Sequence, residues 1–328
     1  MKWIAFALLL AACAPAPPPV TPPPPAPPAP CPVAPPSSDG VRTADAQRLV
    51  AGLAARIQLS PGDEALRHPK SIQDIKTILQ RDTVYLFADA ATYARSLGTT
   101  EGRFSEAYLE LAIGDAQLLA SQVLTTQAAW VGTDLRIARA NVASEGDADA
   151  GPTTDRARML VQLIKVVEDG NAIADALGLL APTHLARAAE VIRGLRTEVP
   201  KDPRIGLLAA EHARLRGDWA DFDTAMTTAE AAGTSLAPIC YLRAMEQLER
   251  LRKPDVSMAR LRDCTTRFPK LVRAQAALVA IATSPATALH ELAKLKQVNE
   301  DHYIVMLLEP ALAAEQELAR MEDVHAAP

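Results

Sequence analysis

Six histidines and four cysteines are the residues of this 328-residue chain best suited to chemistry. Histidine serves as a base or metal ligand and thiolate as a nucleophile, but each role needs partners at set spacings. His290-Glu291-Leu-Ala-Lys294 opens like a zinc-chelating helix, then lacks the second histidine four residues on that would complete it. His68, His184, His212, His302 and His325 stand without ligand spacing. Glu211-His212 in a helical stretch reads as a solvated pair rather than an acid–base couple. The sequence has no glycine-rich phosphate loop, and no strand-to-helix elbow that would present a serine or cysteine nucleophile. Trp130, Trp219 and Phe222 suit core packing better than ligand stacking. No residue is left to carry catalysis, so the expectation is a non-enzyme without metal or cofactor.

The elements that would position any site are helices. Apolar residues make up 49% of the chain but aromatics only 4%, and 63 residues are alanine. Alanine is the best helix former and a poor strand former, which argues against a sandwich or barrel. A net charge of −5 with no basic half gives no reason to expect nucleic acid. Between Arg243 and Arg273 basic residues outnumber acidic ones, which adds a weak preference for an acidic partner; the plainer reading is a solvated helix face.

Along the chain, Thr43 can cap a helix to about Gln58, and Ser60-Pro61 starts a short one. Ser71 with Asp74 three residues on has the form of a capping box. Behind it Ile72, Ile75, Leu79, Leu86, Ala90, Tyr93 and Leu97 mark one face of a long amphipathic helix. With a second helix over about 104–142, residues 71–142 are expected to form an antiparallel hairpin. The run 144–154, containing EGDADAGP, is the best internal boundary, dividing 41–150 from 151–328. Beyond it Ala181-Pro182, Asp202-Pro203, Ala237-Pro238, Phe268-Pro269 and Ser284-Pro285 place proline at successive candidate helix starts.

Cys240 and Cys264 lie about 12 residues to either side of the turn between two antiparallel helices, and so at nearly equal height. A bridge needs Cα atoms closer than ~7 Å and would contribute roughly 3 kcal/mol by chain entropy. The alternative is two buried thiols. Cys31 remains as an odd thiol.

The N-terminus has the form of an address. Lys2 precedes the short apolar run Trp3–Leu10, well below the ~20 residues of a membrane span, and the run ends Leu10-Ala11-Ala12-Cys13. This ending resembles the lipobox of bacterial lipoproteins, which implies cleavage before Cys13 and acylation of that residue. Two or three acyl chains would hold the protein on a membrane, and Ala14 after the cysteine favours, by the same resemblance, the outer membrane facing the periplasm. Residues 14–38 carry 14 of the 26 prolines. Such a segment cannot bury a core and is expected to be a disordered, polyproline-rich linker reaching roughly 70–80 Å.

The proline spacing near 34 residues, the Gly217-Asp218-Trp219 turn, and Phe222, Met226 and Ala229 behind it resemble tetratricopeptide repeats. The likeness covers about 155–295 and departs at Lys253-Pro254, where the family places glycine. It implies an all-α fold of helical hairpins stacked as a tetratricopeptide-like solenoid after the proline-rich linker. It also implies a concave groove for a partner peptide, lined by Arg204, Leu207, Glu211 and Arg214, with Tyr241 and Met245 from the next unit. The plainer reading of each is solvent or inter-repeat contact. The functional expectation is a membrane-anchored envelope lipoprotein that docks an envelope protein or peptide. The alternatives are a periplasmic ligand-binding accessory of a transport system, with an apolar cavity, and a mechanical tether to the cell wall.

Overall fold

The computed structural model describes residues 38–54, 58–145, 155–233 and 236–309. Cys13, Cys31 and the proline-rich linker lie outside the described residues. All regular secondary structure among the described residues is helical. The helices are α1 (Ser38–Ala54), α2 (Pro61–Glu64), α3 (Ile72–Arg81), α4 (Phe87–Ser96), α5 (Thr100–Glu145) and α6 (Asp155–Glu198). They continue as α7 (Arg204–Arg216), α8 (Trp219–Ala231), α9 (Leu236–Glu249), α10 (Pro254–Arg267), α11 (Val272–Ala280) and α12 (Pro285–Val298), and residues 303–309 add a last helical stretch. No described helix is long and apolar enough to cross a membrane.

Local signals set many boundaries. Ser71 Oγ accepts from the Asp74 amide at 3.1 Å, and Ser284 Oγ from the Thr287 amide at 3.2 Å. Each satisfies a donor that the first helical turn leaves unpaired. Pro61, Pro254 and Pro285 occupy the first helical turn, where a missing N–H costs nothing. Gly217 closes α7 in the left-handed region at φ 70°, and Asp218 then caps α8.

Three expected boundaries are corrected. Helix α1 already begins at Ser38 and ends at Ala54, so Thr43 lies within it and does not cap it. The helix expected across 71–97 breaks at Asp82, which takes a left-handed φ of 54°. Its carboxylate is committed elsewhere: Oδ2 lies 2.9 Å from His302 Nε2. Pro182 starts no helix but sits inside α6. There α5 runs alongside so closely that a Cβ on Gly178 would lie 3.2 Å from Ser121 Oγ.

Helix α5, about 70 Å long from its 46 residues, organises the body. In its first half three sets of residues face three neighbours. Phe104, Ala107 and Leu111 pack with Leu185, Ile192, Leu195 and Leu208 of α6 and α7. Leu109 and Ala112 meet Ile75, Ile78 and Phe87 of α3 and α4. Ala116, Leu119, Ala120 and Val123 join the core that continues through α7 to α12. A helix apolar on all sides is a buried one. The described residues from 38 onward form one compact unit, and α5 and α6, to either side of the run 144–154, pack side by side. The later helices pair in order, α7 on α8, α9 on α10 and α11 on α12. Cys240 and Cys264 are bonded across α9 and α10, with Cα atoms 5.8 Å apart.

The two ends of the body meet. Asn299 Nδ2 donates to the Arg81 carbonyl at 2.5 Å, and Asp301 Oδ2 accepts from the Ser60 amide at 2.8 Å. Buried Asp63 accepts from Thr83 Oγ1 at 2.9 Å and pairs with Arg81. Together with the His302–Asp82 bond, these contacts clasp residues 60–83 to the turn after α12.

Candidate functional site: a cleft above a buried ion network

The face expected to form an open groove is filled by the chain itself. Leu207, Glu211 and Arg214 on α7, with Tyr241 and Met245 on α9, are all buried. Helix α5 covers them. Asp115 Oδ1 accepts from Arg214 at 2.5 Å, and its Oδ2 accepts from the Tyr241 hydroxyl at 3.0 Å. Arg273 at the start of α11 places Nε 3.6 Å from Asp115 and pairs with Glu211. The other nitrogen of Arg214 donates to Glu249 at 2.6 Å. Arg204 lies at the edge, stacked 3.7 Å over the Phe104 ring and paired with Glu101 at 2.6 Å and Asp202 at 2.9 Å. The six residues therefore act in closing the body. No local pattern signals this, because the covering layer is the longest helix of residues 41–150, about 100 positions from the residues it covers.

The electrostatics follow from burial opposed by pairing. Burial pushes the Asp115 carboxyl upward, but the charges of Arg214 and Arg273 outweigh it and hold the group below its ordinary value. For Glu249, burial prevails over Arg214 and raises it. Burial, reinforced by Asp115, raises the Tyr241 phenol, which stays protonated as a donor. His302 accepts at Nδ1 from the Ile304 amide at 3.2 Å, so its proton sits on Nε2, facing Asp82. Glu211 is thus no solvated partner of His212: it is paired with Arg273, while burial lowers the His212 imidazole. Among the described residues no group of three or more His, Cys, Asp or Glu is arranged to hold a metal ion.

What stays open is a cleft of about 590 Å³ beside this network. Leu79, Tyr108, Pro238, Leu242, Phe268 and Leu271 give it mostly apolar walls, and Glu211, Tyr241 and Arg273 supply its polar groups. Lys270 and Gln80 stand exposed among the lining residues. Five of the nine basic residues in the stretch Arg243–Arg273 are ion-paired within the chain. Arg243 pairs with Glu230, Arg250 with Asp223, Arg262 with Glu291 and Arg267 with Asp263, in addition to the Arg273 pair. The arrangement can hold an apolar segment against fixed dipoles. Comparison with protein-family models, curated proteins and solved structures gave no match to this chain.

Proposed function

We propose that this chain is a membrane-anchored envelope lipoprotein, without chemistry of its own, whose helical body docks an envelope protein through the 590 Å³ cleft. In this reading Cys13 carries the lipid, residues 14–38 are the spacer, and the anchor lies in the outer membrane facing the periplasm. The pairs α7–α8, α9–α10 and α11–α12 form a short tetratricopeptide-like solenoid whose inner face α5 has closed. The observation that carries the docking role is the cleft itself: apolar walls on several elements above polar groups already paired with one another. Such a surface offers desolvation to an apolar side chain, and its buried charges, Glu211 and Arg273, are already paired with each other. Enzymatic function finds no support in it, because Glu211, Tyr241 and Arg273 are each engaged in the body.

The test is photo-crosslinking in intact envelopes. A crosslinking residue at Lys270 or Gln80 is expected to give one discrete protein adduct, and one at Lys296 on α12 none. The adduct should disappear in Leu271→Asp, which puts a charge in the cleft wall. Equal adducts from all three positions, or adducts indifferent to Leu271→Asp, refute docking at the cleft. Cys13→Ser should release the chain from the membrane fraction in the same preparation.

A further inference from the structure

Beside the docking cleft lies a second cavity of about 410 Å³, bounded by residues of α10, α11 and α12. Pro269 and Leu271 line both, so the wall between them is a single stretch of chain. Lys270, the residue between those two, is exposed and lines the cleft.

The two cavities differ in charge. In the cleft Arg273 is already enclosed by carboxylates, pairing with Glu211 and lying 3.6 Å from Asp115 and 3.9 Å from Asp82. The cleft floor therefore has no positive charge to spare, and an incoming anion would meet an excess of negative groups. Across the wall the balance reverses. Glu291 accepts from Arg262 and Lys294, each at 3.1 Å, and from Gln275 at 3.0 Å. Its side chain is 1% exposed, so it offers nothing to a cation from outside. Two cations thus share one buried carboxylate, and both reach solvent, the Arg262 side chain being 50% exposed and that of Lys294 44%. Lys270 adds a further positive charge, with no ion pair among the described residues.

We propose that the segment docked at the cleft is an extended peptide that joins an apolar residue to an acidic one. The apolar side chain fills the cleft, and the carboxylate crosses the wall to lie between Lys270, Arg262 and Lys294. A wall one chain thick is about 10 Å across with its side chains, which an extended peptide at ~3.3 Å per residue spans in about three residues. The uncompensated positive charge fixes which way the segment lies and speeds its approach, while the apolar contact supplies most of the affinity. This inference rests on docking at the cleft and adds the chemistry of what docks there.

The test selects phage-displayed random dodecapeptides on the full chain carrying Cys13→Ser, then titrates the enriched peptide, fluorescently labelled, by anisotropy. Enriched sequences should place Asp or Glu about two to four positions from an apolar residue, at ~3.3 Å per position. Replacing that acid by its amide should weaken binding about fivefold, as should Lys270→Glu, which breaks no ion pair of the folded chain. Raising the salt from about 50 mM to about 500 mM should weaken binding to the parent and change it less in Lys270→Glu. Leu271→Asp should abolish it. Peptides that Leu271→Asp displaces, but that carry no acid and ignore Lys270→Glu, overturn this inference and leave docking at the cleft standing. Peptides indifferent to Leu271→Asp, or no enrichment at all, overturn both. Binding of the Cys13→Ser chain to phosphatidylglycerol vesicles, lost in Lys270→Glu, would assign the positive charge to a membrane and likewise overturn the inference.

Discussion

Asp115 shows at one residue how the body trades desolvation against pairing. It sits between two guanidinium groups and a phenol with almost no exposed surface. Removing one member of a buried pair leaves its partner uncompensated, typically at a cost of about 3–5 kcal/mol. Arg214 keeps Glu249 and Arg273 keeps Glu211, so Asp115→Asn should fall near the low end, about 3 kcal/mol by urea unfolding. The pH dependence has a definite sign. A carboxyl held below its ordinary value stabilises the fold above the unfolded pKa of about 3.9, and that contribution is lost as pH falls through the lower folded value. Glu249 has the opposite sign: its raised folded value makes its contribution fade as pH rises through that value. Unfolding free energies measured from pH 5 to pH 2 should therefore drop more steeply for the parent than for Asp115→Asn. Parallel curves would mean that another group sets the acid limb. None of this was legible in the sequence, where Asp115 is one acidic residue in a helix and its partners lie 99 to 158 positions away.

At the scale of the element, what could be read was what is local. The caps at Ser71 and Ser284, proline in the first turn at 61 and 285, and the glycine after α7 all act within a few residues of themselves. The break at Asp82 could not be read, because its hydrogen-bond partner is His302. Pro182 misled for the same kind of reason: proline's local preference for a helix start was overridden by packing along α5. The alanine excess now has a physical location. Ala107, Ala112, Ala116 and Ala120 on α5 let it lie close to several neighbours, and Gly206 does the same where α7 meets α8. A Cβ on Gly206 would stand 3.0 Å from the Ala229 amide nitrogen and 3.3 Å from the Ala225 carbonyl. Helix propensity favours Gly206→Ala by up to about 1 kcal/mol, whereas overpacking against backbone costs about 1–3 kcal/mol. The contact is with backbone, which cannot rotate away, so the net effect should be destabilisation of about 1–2 kcal/mol in denaturant melts. A stabilised variant would show that α7 and α8 separate freely.

For the molecule as a whole, the clasp between residues 60–83 and the turn after α12 couples its beginning to its end. His302→Ala removes the partner of Asp82, yet leaves the helices themselves intact. Amide hydrogen exchange should therefore accelerate through α3 and α4 while α7 and α8 keep their protection. Uniform acceleration would mean that the clasp is no more local than any core contact. Sequence patterns gave the helical class and the later helix pairs because those repeat over short spans. They could not give the covering role of α5, the closed inner face or the clasp, each of which joins distant parts of the chain.

The clasp also sets an order of events during biosynthesis. Helices α3 and α4 emerge early, but Asn299, Asp301 and His302 exist only once nearly the whole chain has been made. If the chain crosses a membrane from its N-terminus, as the reading of Cys13 implies, α3 and α4 arrive with Asp63 and Asp82 unlatched and must wait for the last tenth of the polypeptide. Contacts of such long sequence separation form slowly. Until they close, α3 and α4 lack their latch and should be the first helices cleaved by proteases, and a chain truncated before residue 299 cannot form it.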